Sequence, residues 1–75
     1  MGQTQKDIEM RIDDNKTILN YLYGKLSFLW DIYHEEKNVI ERYELLVKIR
    51  YFESLIEIQN ANIKDLQKKL VKQKD

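Results

Sequence analysis

The chain is predicted to be all-α, an antiparallel hairpin of two long helices that dimerises into a four-helix bundle. Three observations predict it. Apolar residues recur in steps of four and three through both halves of the chain, the spacing that keeps one stripe of an α-helix against another helix. Proline is absent and the only glycines are Gly2 and Gly24, so strong helix breakers are missing. A polar run, His34-Glu35-Glu36-Lys37-Asn38, interrupts the apolar register in the middle.

Residues 1 to about 5 read as a frayed tail. Thr4 or Asp7 is placed to cap a first helix over about 6–34, and Asp7, Glu9, Asp13 and Asp14 suit its positive end. Its seam runs Ile8, Ile12, Asn15, Leu19, Leu22, Leu26, Leu29, Tyr33, with Asn15 the polar interruption. Ile18, Tyr23, Trp30 and Ile32 flank this stripe and widen it beyond a two-helix seam, which suits a bundle of three or four helices. Gly24 falls on the outer face. It is either a tolerated surface glycine, costing about 1 kcal/mol relative to alanine, or the site of a close helix crossing.

The polar run marks a turn at about 35–38. Continuing the first series through it would bring Glu36, Arg50 and Ser54 into the seam. Asn38 followed by Glu41 has the spacing of a capping box, which satisfies backbone N–H groups freed at a helix start. The alternative is one unbroken helix roughly 100 Å long. The second helix, about 39–72, carries the main apolar signal: Leu45, Ile49, Phe52, Ile56, Ile63, Leu66 and Leu70, with Gln59 as the one vacancy. Tyr51, Leu55 and Ile58 form a second apolar face beside it, extended by Leu46 and Val47. Helices of roughly 45–50 Å with two apolar faces are not covered by one neighbour, hence the expected dimer.

Folding at residue 36 or 37 sets Asn15 opposite Gln59, Leu22 near Phe52 and Leu29 near Leu45. Asn15 and Gln59 are therefore candidates for a buried polar layer, a device that selects register and oligomeric state. The same fold sets the early carboxylates beside Lys64, Lys68, Lys69, Lys72 and Lys74. Each cluster also suits its own helix dipole.

Length and composition bound the function. Seventy-five residues allow one domain at most, and domains this small usually need a disulfide, a metal or a partner chain. There is no cysteine, so oligomerisation is the staple that remains. Thirteen basic and thirteen acidic residues cancel, leaving no global attraction to nucleic acid or anionic lipid. Apolar runs such as Phe28-Leu29-Trp30 fall far short of the roughly 20 residues that span a bilayer. The start lacks the apolar core of a signal peptide, and Lys6 stands where myristoylation wants Ser or Thr. The expectation is a soluble cytoplasmic protein with no membrane partner. Enrichment in Ile, Lys, Asn and Tyr suggests an AT-rich coding sequence of the kind found in many bacteria, archaea, and their viruses and plasmids.

Chemistry-bearing constellations are sparse. His34 shares a helical face with Asp31 and Glu35, but no second histidine accompanies it, and a surface histidine is the plainer reading than a metal ligand. Ser27 and Ser54 have no base at helical spacing, and no glycine-rich phosphate loop is present. The chain is expected to be no enzyme and to use no cofactor or metal.

Binding is the function class left. Tyr21, Phe28 and Tyr51 sit outside the seams and are the candidate contacts for a protein partner or a second protomer, since large rigid rings bury much area at little entropic cost. The alternative is nucleic acid, held by Lys64, Lys68, Lys69 and Lys72, with aromatic side chains to stack on bases. The hairpin-dimer architecture resembles the Rop family of plasmid RNA regulators, helical hairpins that dimerise into four-helix bundles and bind paired RNA loops. That resemblance is architectural, involves no shared motif and transfers no residue role. The functional expectation is a small adaptor or regulatory protein acting through protein contacts as a homo-oligomer.

Overall fold

The computed structural model describes residues 4–74, and among them there are two helices and no strands. Helix α1 spans Gln5–Glu35 and helix α2 spans Val39–Lys74. They pack against each other as a hairpin, so the unbroken rod is ruled out.

Local chemistry accounts for both helix starts. Thr4 is extended (φ −77°, ψ 161°) and its hydroxyl accepts the Asp7 N–H at 3.1 Å, so Thr4, not Asp7, is the cap. Of the expected frayed start, residues 1–3 lie outside the described residues, as does Gly2 of the myristoylation pattern. At the other helix, Asn38 Oδ1 accepts the Glu41 N–H at 3.0 Å. The reciprocal bond differs from a standard capping box: the Asn38 N–H donates to Glu36 at 3.1 Å. Glu36, extended at φ −76° and ψ 126°, also closes α1 by donating its N–H to the Ile32 carbonyl at 3.0 Å. One residue thus ends the first helix and braces the start of the second. No described residue has positive φ, which is how the chain turns without glycine.

The core is a single antiparallel seam. Ile8, Ile12, Leu22, Ile49, Ile56, Ile63 and Leu66 are buried, and every one belongs to the two heptad series. The remaining members, including Asn15, Leu19, Leu26, Leu29, Tyr33, Leu45, Phe52, Gln59 and Leu70, are half-buried. Ile8 and Ile12 cluster with Ile63 and Leu66 at the open end, which sets the vertical register of the hairpin.

The molecule measures 56 × 18 × 14 Å with a radius of gyration of 17.0 Å. A compact chain of this length would have about 11 Å, so two helices side by side leave a large surface for their mass. Among the described residues, no helix is long and apolar enough to cross a membrane.

Gly24 makes no close crossing within the hairpin. A Cβ added there would meet nothing within 4 Å. Gly24→Ala is therefore expected to stabilise the helix by about 1 kcal/mol, raising the thermal midpoint by about 4–8 °C for a domain of this size. Thermal denaturation followed by circular dichroism checks this, and an unchanged or lowered midpoint would show that the glycine serves a contact outside the hairpin.

Candidate functional site

The chief surface feature is an apolar face on one flank of the hairpin. Tyr21, Phe28 and Tyr51 are 60%, 54% and 61% exposed. Ile18 and Ile58 are exposed as well, while Leu55 is half-buried. In each helix these side chains lie about a third of a turn from the seam, in the same rotational sense along the chain, at 100° per residue. Because the helices are antiparallel, that common offset turns both sets toward the same flank. The turn is centred on Lys37, so Ile18 and Tyr21 stand level with Tyr51, Leu55 and Ile58, and Phe28 lies nearer the turn. Tyr21, Phe28 and Tyr51 therefore share one surface.

Two lysines punctuate this face. Lys25 holds its Nζ 5.6 Å from the centre of the Tyr21 ring, a cation–π contact. Lys48 stands at the same level on α2. Ion pairs among the described residues are Arg50–Glu53 at 3.6 Å and Lys69–Asp65 at 3.5 Å, both within α2. Among the described residues, no ion pair joins the early carboxylates to the late lysines across the hairpin.

The lysine group divides accordingly. Lys69 is engaged by Asp65, whereas Lys64, Lys68 and Lys72 recur at four-residue spacing and line an open depression with Gln67 and Val71. This stripe is the nucleic-acid candidate surface in its structural form. The side chain of Lys74 lies outside the described residues.

Asn15 and Gln59 are both half-buried and do not hydrogen-bond to each other. Asn15 Nδ2 instead donates to the Arg11 carbonyl one turn back, at 2.8 Å, because a short amide reaches its own helix more readily than its neighbour. Gln59 Oε1 is buried with no hydrogen-bond partner.

Trp30 and Tyr33, expected beside and in the seam, and His34, expected on the surface, form one aromatic group at the turn end. Trp30 meets the Tyr33 ring edge-on at 5.4 Å and stacks on His34 at 5.8 Å. The Arg42 guanidinium lies 5.1 Å from the Tyr33 ring, joining the two helices beside the turn. The i, i+3, i+4 spacing of Trp30, Tyr33 and His34 was the available signal. No three metal-ligating side chains cluster among the described residues, and His34 is engaged by rings on its own helix.

No protein-family model, no curated protein and no solved structure matches the chain.

Proposed function

We propose that this protein is a non-enzymatic adaptor or regulator that acts by binding proteins, and that it works as a homodimer whose two hairpins close into a four-helix bundle. The observation that carries this reading is the exposed face of Ile18, Tyr21, Phe28, Tyr51 and Ile58. Isolated apolar side chains are normal on a protein surface, but a contiguous aromatic-aliphatic patch is a mark of an interaction site. Surface area supports it too. The hairpin exposes 6068 Å², against about 4,900 Å² for a compact monomer of its mass. The excess, roughly 1,100 Å², exceeds the roughly 800 Å² that each partner contributes to a stable interface. A cytoplasmic setting fits the cysteine-free sequence. The turn end, where Tyr33, Val39, Arg42, Tyr43 and Leu46 line an open depression, remains available to a different protein.

Sedimentation of the full chain tests the reading. The wild type is expected to be a dimer at micromolar concentration. Tyr21→Glu/Tyr51→Glu should weaken association at least about a hundredfold, given that a buried aromatic hot spot contributes about 2 kcal/mol or more. Both residues are exposed within the hairpin, so helix content should hold. A wild type that stays monomeric at high concentration would overturn the homodimer. The Lys64, Lys68 and Lys72 stripe favours a second reading, a Rop-like binder of RNA or DNA. Affinity for nucleic acid that falls steeply with salt and disappears in Lys64→Glu/Lys68→Glu would place that reading first.

A further inference from the structure

We infer that the face carrying Tyr21 and Tyr51 docks a second copy of this chain head to tail, about a two-fold axis level with Ile18 and Tyr21 on α1 and with Leu55 on α2. The inference rests on the homodimer reading above and gives it a register.

A two-fold interface must be complementary to its own reversal, since each contact occurs twice with the roles exchanged. On α1 the face runs Arg11, Asp14, Ile18, Tyr21, Lys25, Phe28, in steps of three and four. Reversed on itself, Ile18 of one copy meets Tyr21 of the other, Asp14 meets Lys25, and Arg11 meets Phe28. Those are an apolar pair, an ion pair and a cation–π pair. On α2 the face runs Lys48, Tyr51, Leu55, Ile58, Asn62, and reversal beside Leu55 sets Tyr51 against Ile58. The two reversal centres need not have coincided. They do, because the hairpin turns at Lys37 and its open-end core pairs Ile8 and Ile12 with Leu66 and Ile63. Both helices point to one axis.

Charge selects this arrangement over its head-to-head alternative. Lys25 has no carboxylate three or four residues away on α1, where its neighbours are Tyr21, Leu22, Phe28 and Leu29. The ion pairs described within the chain involve neither Lys25 nor Asp14. Head to tail, each supplies the other's partner across the dimer. Head to head, Lys25 of one copy would face Lys48 of the other, two like charges amid apolar surface, and both times. Head-to-tail docking does set Glu44 opposite Asp65, but at the outer ends of the face, where Asp65 already holds Lys69 at 3.5 Å.

Charge exchange across the axis tests the register in the full chain by sedimentation equilibrium. Asp14→Lys and Lys25→Asp are each expected to raise the dimer dissociation constant at least about tenfold, through repeated like-charge contacts. Combining the two in one chain should restore it to within about threefold. Leu55→Cys supplies an independent geometric readout: with no native cysteine, mild oxidation should join two copies through this position. A wild-type dimer in which the double exchange fails to restore affinity, or in which the Leu55→Cys dimer does not cross-link, overturns this register and leaves the homodimer standing. A wild type that never dimerises overturns both.

Discussion

Ile49→Ala is expected to lower stability by about 2–5 kcal/mol, the range for removing a buried isoleucine side chain beyond its Cβ. Ile49 has no exposed surface, and its place about three turns inside α2 keeps it clear of fraying at either helix end. The cost has two parts: the lost transfer of the side chain from water, and the cavity left where a long rigid helix cannot collapse inward. For a chain of this length the whole stability is of order 4–11 kcal/mol, so this one change should leave a large unfolded fraction at ambient temperature. Urea denaturation at fixed protein concentration measures it, since self-association contributes to apparent stability by mass action. Val71→Ala is the control. Val71 is 62% exposed, and its change should stay within about 0.5 kcal/mol. Equal effects at the two positions would mean that the seam is not where stability resides.

Gln59→Leu is expected to act in the opposite direction, stabilising the fold by about 1–3 kcal/mol, the desolvation penalty of an unsatisfied buried acceptor. Gln59 Oε1 is that acceptor, and leucine of similar volume restores the apolar step between Ile56 and Ile63. Asn15→Leu should gain less. Its amide already holds the Arg11 carbonyl at 2.8 Å, so removing it relieves no orphaned group. A double-mutant cycle then separates two pictures of these positions. Two amides bonded only to their surroundings should give additive effects, within about 0.5 kcal/mol. A larger coupling would show that they join in the assembled bundle. Such polar positions also select oligomeric state, so the sedimentation behaviour of the double variant should be measured beside its stability. A loss of stability in Gln59→Leu would show that the amide is satisfied in the working assembly.

The capping chemistry shows how far residue spacing reaches. Asn38 and Glu41 lie at the interval of a helix start, and Asn38 does accept the Glu41 N–H. That the Asn38 N–H goes to Glu36 was not legible. Both glutamates are within reach of the same donor in sequence, and only the extended conformation of Glu36 decides between them. Asn15 and Gln59 teach the same lesson across a longer distance. Their similar height follows from counting residues about the turn, but hydrogen bonding depends on side-chain reach, and the carbonyl one turn back was nearer for Asn15.

By itself the sequence determined the two helices and the stripe along which they meet. Heptad spacing is a local property, and the free energy of burying Ile8, Ile12, Leu22, Ile49, Ile56, Ile63 and Leu66 depends on their lying on one side of each helix, which the chain order alone imposes. Tyr21, Phe28 and Tyr51 were likewise visible as side chains outside those stripes. What only the tertiary structure decided is that they share a flank. Whether outer positions on two helices converge or diverge depends on the sense in which the second helix returns and on where the turn sets its level. Antiparallel return with the turn at Lys37 makes equal rotations converge, and so turns scattered exposed rings into one surface.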